Sequence, residues 1–204
     1  MTLPPLPGPH KGLRIGLFGG SFNPAHSGHY HVAETALRRL QLDCVWWLVA
    51  GGNPLKENHG VFEARVASAK RVATHPAMRV TGIERDLGVR YTSDLLDRLL
   101  PRLKSAQLVW IMGADNLANF HRWGRWDEIA QRLPIAVVAR PGASPKAGLS
   151  KFATRFALGR YSGRAARALA LSPAPAWIYL NAPLEPVSST ALRRKAARRN
   201  PFRR

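Results

Sequence analysis

Two histidines, His26 and His29, stand three residues apart behind a glycine pair in the run Gly19-Gly20-Ser21-Phe22-Asn23-Pro24-Ala25-His26-Ser27-Gly28-His29. Glycines at a turn let the backbone approach a ligand closely, and the free N–H groups of a helix start favour a phosphate. Residues three apart on a first helical turn share a face. Two imidazoles beside such a cradle are a constellation for phosphoryl chemistry. As zinc ligands they lack an obvious third and fourth partner. The chain has no GxSxG turn, no cysteine–histidine arrangement at a glycine turn and no GxxxxGKS/T phosphate loop. Far along the chain, Val187-Ser188-Ser189-Thr190-Ala191-Leu192-Arg193 reads as the capped start of a last helix. Its hydroxyls and free N–H groups also suit a phosphate, and Arg193 points toward the same end.

The elements that must position these residues alternate. Apolar runs at 13–18, 44–50, 78–81, 108–112, 135–139 and 177–180 read as strands. Helical patterns fall at 27–40, 63–74, 92–103, 116–120, 126–131 and 189–199, with Ala64, Ala67 and Val72 of the second expected to face the core. Repeated strand–helix units predict an α/β fold, a Rossmann-like three-layer α/β/α arrangement around a mostly parallel sheet. Ligands bind such sheets beyond the carboxyl ends of the strands. The motifs fall at those ends: the glycine run, then 51–56, then Gly113-Ala114-Asp115, then Arg140-Pro141. Residues 1–12 are expected to form a loose tail, and 13–200 a single domain. Within it 142–175 departs from the alternation as a basic excursion, with one helix expected over 151–171.

The first motif resembles the (H/T)xGH signature of the nucleotidyltransferase superfamily, in its GGSFNPxHxGH form. The second resembles that superfamily's ISSTxIR motif, with Val187 in place of the isoleucine. With the order of elements between them, the pair resembles the bacterial nicotinate-nucleotide adenylyltransferase family from about residue 13 to about residue 199. That resemblance implies attack of the 5′-phosphate of nicotinate mononucleotide on the α-phosphorus of ATP, with pyrophosphate leaving. It implies a site for ATP at Gly19, Gly20, Ser21, Phe22, His26, His29, Gly113, Asp115, Ser188, Ser189, Thr190 and Arg193. His26, His29 and Arg193 would stabilise the phosphate charge. The acceptor would meet Lys56, Tyr91, Thr92, Trp123 and Arg140. Trp123 matches the position whose indole stacks on the pyridine ring, although the usual aromatic after it is Gly124 here. Mg²⁺ is implied, held through ATP phosphates and water rather than by a carboxylate cage.

Composition bounds the alternatives. The chain has 204 residues, 46% of them hydrophobic, enough for one domain with a sizeable core. No apolar run approaches a membrane span. The single cysteine, Cys44, excludes an intrachain disulfide, and a reduced, cytoplasmic setting is expected. Lys plus Arg number 31 against 12 acidic residues, a formal charge of +19. This suits anionic partners, among them nucleotides and, non-specifically, nucleic acid. It equally suits a compositional bias toward arginine. The rival readings are a sibling adenylyltransferase using nicotinamide mononucleotide or phosphopantetheine, and a basic nucleic-acid-binding protein without a recognisable binding module. No motif specifies an oligomeric state.

Overall fold

The computed structural model describes residues 3–52, 60–139, 150–182, 189 and 192. Seven strands form one sheet: β1 (Arg14–Gly20), β2 (Cys44–Val49), β3 (Met78–Thr81), β4 (Gln107–Gly113), β5 (Ile135–Val138), β6 (Arg160–Tyr161) and β7 (Trp177–Leu180). Their order is β3-β2-β1-β4-β5-β7-β6, and every neighbouring pair is parallel. The expected α/β three-layer fold is present. β2 is buried at all six positions, as a strand covered on both faces must be.

Side chains alternate between two cores. Ile15, Leu17, Trp46, Leu48 and Trp110 face one layer, with α4 (Thr92–Leu99), α5 (Ala114–Leu117), α6 (Trp126–Arg132) and α7 (Lys151–Arg155). Phe18, Val45, Trp47, Val49 and Ile111 face the other, with α1 (Ser27–Arg39) and α2 (Phe62–Val72). A four-residue helix, α3 (Ile83–Asp86), follows β3.

From β1 the chain moves outward through β2 to β3, then returns to place β4 on the other flank of β1. The switch between β1 and β4 opens a crevice at their carboxyl ends. Gly19-Gly20 and Gly113-Ala114-Asp115 stand at that crevice.

Several expectations need correction. α4 stops at Leu99, and a 3₁₀ turn, Leu100–Arg102, replaces its expected last turn. Pro101 has no N–H to continue the ladder. On α2 the buried face is Arg65, Ser68 and Ala69, while Ala64 and Ala67 are exposed. That is a turn of the helix about its axis from the face expected.

Residues 151–171 are not one helix. α7 gives way to a 3₁₀ turn at Ala157–Gly159, then to the edge strand β6, then to a 3₁₀ run over Gly163–Leu171. Phe152 and Phe156 are buried, and the Trp177 indole N–H donates to the Phe156 carbonyl at 2.8 Å. The basic residues Lys151, Arg155, Arg160, Arg164 and Arg167 are all exposed, so this segment is a structural part of the fold with a solvated face. The start of the chain is also fastened: Arg102 donates to the Pro4 carbonyl at 2.7 Å, Gly12 N–H donates to the Ser105 carbonyl at 2.7 Å, and Leu6 packs on the core.

Candidate active site

β1 ends in Gly19-Gly20, and the close approach of an indole explains the first of these glycines. A Cβ on Gly19 would lie 2.7 Å from the Trp110 ring, so only glycine lets β4's tryptophan lie across the strand. Phe22 then takes a left-handed φ of 46° and turns its ring into the core, stacked on Trp47 at 5.0 Å. The chain re-enters a helix at Ser27, with His26 as the N-cap.

His26 is 5% exposed, and its ring centroid lies 3.9 Å from that of His29. The His26 N–H donates to His29 Nδ1 at 3.3 Å. With Nδ1 accepting, a neutral His29 carries its proton on Nε2, the outer nitrogen. The two rings are thus paired at a helix start. The Phe22 ring meets His29 edge-on at 5.1 Å and fixes its tilt.

Helix α2 holds this loop from behind. Arg65 is 3% exposed; its guanidinium donates to Ser21 O at 3.0 Å, Ala50 O at 2.7 Å and Gly51 O at 3.4 Å. One turn on, Ser68 Oγ accepts from Ala25 N–H at 2.9 Å. Glu84, 7% exposed, accepts from Gly51 N–H at 3.3 Å. Burial pushes the Glu84 carboxyl up to about 7, against the pull of the Gly51 hydrogen bond and the Arg65 charge. Burial lowers Arg65, and Glu84 opposes that shift.

These three residues carry no motif, and sequence reasoning missed them. The available signal was the spacing 62, 65, 69, 72 on α2, which places an arginine on the apolar face. The reading by alanines hid it.

Of the expected ATP residues, Gly19, Gly20, Ser21, Phe22, His26 and His29 come together in one loop. Gly113 and Asp115 close the other side of the switch, with Asp115 exposed at the first turn of α5. Ser189 Oγ donates to the Pro24 carbonyl at 2.9 Å, joining the C-terminal motif to the histidine loop across 165 residues. Tyr91 is the N-cap of α4 and Thr92 is its first residue. A Cβ on Gly124 would lie 3.3 Å from the Tyr91 ring, which sets 91–92 and 123–124 side by side. The ring of Tyr91 fills the space that the missing side chain at 124 leaves.

Trp123 is half-buried, edge-on to Phe120 at 5.2 Å and to Trp110 at 6.4 Å. Since Trp110 also covers Gly19, Trp123 and the glycine–histidine loop pack on one shared indole. Lys56, Arg140, Ser188, Thr190 and Arg193 lie outside the described residues. Among the described residues no cluster of three or more His, Cys, Asp or Glu side chains could hold a metal ion.

A family model described as cytidylyltransferase-like matches residues 17–195. A protein of Methylorubrum extorquens (strain PA1), named probable nicotinate-nucleotide adenylyltransferase, is 53% identical over 184 residues, covering 89% of this chain and 99% of its own. A protein of Roseobacter denitrificans with the same name is 47% identical over 190 residues, 93% of this chain and 96% of its own. Among solved structures, the Plasmodium falciparum nicotinic acid mononucleotide adenylyltransferase complexed with NaAD superposes with a TM-score of 0.67, over 88% of this chain and 82% of that one. At 15% identity that likeness speaks for the fold alone. The chain belongs to the nicotinate-nucleotide adenylyltransferase family, a branch of these cytidylyltransferase-like proteins.

Proposed function

We propose that this protein adenylylates nicotinate mononucleotide with ATP, giving nicotinate adenine dinucleotide and pyrophosphate in NAD biosynthesis. The observation that carries the reading is the His26–His29 pair, 3.9 Å apart at the mouth of the β1/β4 switch and tied to Ser189 through Pro24. In the reaction a phosphate oxygen of the mononucleotide forms a bond to the α-phosphorus, and the bond from that phosphorus to the bridging oxygen of pyrophosphate breaks. A phosphate monoester is largely ionised at pH 7, with its second pKa about 6, so the nucleophile brings no proton that a base must remove. The protein's task is in-line placement and neutralisation of charge. His26 and His29 donate to the phosphates as that charge develops. Arg193, Ser188, Ser189 and Thr190 hold the departing β- and γ-phosphates.

Asp115 takes ribose hydroxyls. Trp123 stacks on the pyridine ring, and backbone N–H groups near Thr92 and Trp123 receive its carboxylate. Lys56 and Arg140 meet the mononucleotide phosphate. Mg²⁺, held through the ATP phosphates and water rather than by protein carboxylates, would add neutralising charge. A cytoplasmic setting fits a transfer that draws on ATP. No helix among the described residues is long and apolar enough to cross a membrane.

The test is pyrophosphate release with ATP, Mg²⁺ and, in parallel, nicotinate mononucleotide, nicotinamide mononucleotide and phosphopantetheine. An amide in place of the carboxylate turns a donor toward a donor, at about 1–3 kcal/mol per mismatched group. The clash leaves two donors unpaired, the backbone N–H and the amide NH₂, which together give on the order of 10²–10⁴ in kcat/KM in favour of nicotinate. Equal use of the amide overturns the substrate assignment and leaves the adenylyl chemistry standing.

A further inference from the structure

A helix with no motif residue of its own makes the contacts that hold the histidine loop in place. α2 turns two polar side chains inward, one turn apart, and both end on backbone of the phosphate site. Arg65 donates to Ser21 O, the residue directly after the glycine pair, and Ser68 accepts from Ala25 N–H, one residue before the first histidine. Together they bracket Phe22-Asn23-Pro24. The same guanidinium also binds Ala50 O and Gly51 O at the end of β2. Gly51 is held a second time, through its N–H on Glu84.

We propose that Arg65 and Ser68 are positioning residues for the transfer: one face of α2 sets the place of the histidine loop and its separation from the loop that follows β2. The argument is geometric. A planar guanidinium with forked donors can join carbonyls from two loops at once, and a lysine ammonium on its flexible stem cannot reproduce that fork. Burying such a charge costs free energy that neighbouring apolar residues would not have cost. An apolar residue at 65 would fill the same face of the helix yet leave both loops untied. A charge kept there at that cost acts on what it touches, which is backbone on either side of the β1/β2 carboxyl ends. In-line transfer is sensitive to such placement, since a displacement of about 1 Å can lower a rate by about 10².

The inference rests on the adenylyl-transfer reading, and the test separates the two. Arg65→Lys and Ser68→Ala, each in the full chain, are compared with the unaltered protein. The measurements are pyrophosphate release, the KM for each substrate and the thermal midpoint. Arg65→Lys keeps the charge and is expected to lower kcat by about 10- to 100-fold. The acceptor KM should rise by less than kcat falls, because the loss is expected in placement at phosphorus rather than in ground-state binding. Ser68→Ala deletes one hydroxyl and is expected to lower kcat several-fold with the same pattern.

Should Arg65→Lys be recovered unfolded, Ser68→Ala decides alone. A kcat within twofold of the unaltered protein in the folded variants overturns the proposal. So does a loss of kcat that only matches the loss of folded protein. Absence of pyrophosphate release by the unaltered protein counts instead against the adenylyl-transfer reading.

Discussion

The two walls of the cleft are held by different forces. The phosphate wall is fixed by directional hydrogen bonds to backbone: Arg65 on Ser21, Ala50 and Gly51, Ser68 on Ala25, Ser189 on Pro24. The acceptor wall is fixed by rings meeting edge to face: Trp110 on Trp123, Trp123 on Phe120, Phe120 on Phe152, Phe152 on Trp177. Aromatic edge contacts hold a flat face without dictating position to a fraction of an ångström. Hydrogen bonds weaken steeply with angle and dictate it closely. The division suits the chemistry, since bond-making at phosphorus needs placement and stacking on a pyridine ring needs only a surface.

The comparison can be broken first at the phosphate wall. His29→Ala should lower kcat by about 10²–10³ with a smaller change in acceptor KM, because the lost donor acts on charge that grows in the transition state. Steady-state kinetics check it, and nearly full kcat would remove His29 from that role.

The next largest effect is on stability. Glu84 has a folded-state pKa of about 7 against an ordinary value of 4.5. The folded form therefore binds more protons across that window, and stability falls as pH rises from 4.5 through 7. The loss attributable to this group approaches about 3 kcal/mol above pH 7. Glu84→Gln should flatten that decline and be the more stable protein at pH 8, read from urea denaturation at pH 5 and pH 8. A decline of equal slope in the variant would show that Glu84 is not its source.

Gly19→Ala tests the one point where the walls meet. Its Cβ must displace the Trp110 ring, and overpacking of this kind costs about 1–3 kcal/mol. Both kcat and the acceptor KM should suffer, and Trp110→Phe in the same chain should relieve part of the loss.

The smallest effect belongs to Trp123→Ala. Loss of a ring contact of about 0.5–1.5 kcal/mol should raise the acceptor KM by about two- to twelvefold and leave the KM for ATP nearly unchanged. An ATP KM that rises as much would show that the walls are not separate.

The asymmetry also explains what could be read in the chain. The fold and the histidine loop were legible because β2 is an unbroken apolar run and because glycines, histidines and hydroxyls cluster in two short stretches. The role proposed for Trp123 comes from family resemblance, since its partners Phe120 and Trp110 carry no pattern that distinguishes a wall from a core. Ser68 and Glu84 were illegible, and Arg65 showed only in the 62, 65, 69, 72 spacing of α2. An arginine and a serine on a helix are ordinarily solvent-facing, and only the turn of α2 about its axis buries them. Residues 151–171 were misread for a related reason: their alanines and arginines favour a helix, while the pairing of Arg160 and Tyr161 with Trp177 and Ile178 imposes a strand.

The distribution of the six tryptophans gives the protein an optical signature. Trp46, Trp47, Trp110 and Trp177 are within 1% of complete burial, and Trp123 and Trp126 alone are partly open to water. Emission from the folded chain should be dominated by short-wavelength indoles, with a red shoulder from the two outer rings. A ligand that stacks on Trp123 would quench that shoulder without touching the buried set, whereas unfolding would shift the whole band. A single fluorescence titration can thus distinguish occupancy of the acceptor wall from loss of structure, with no label added.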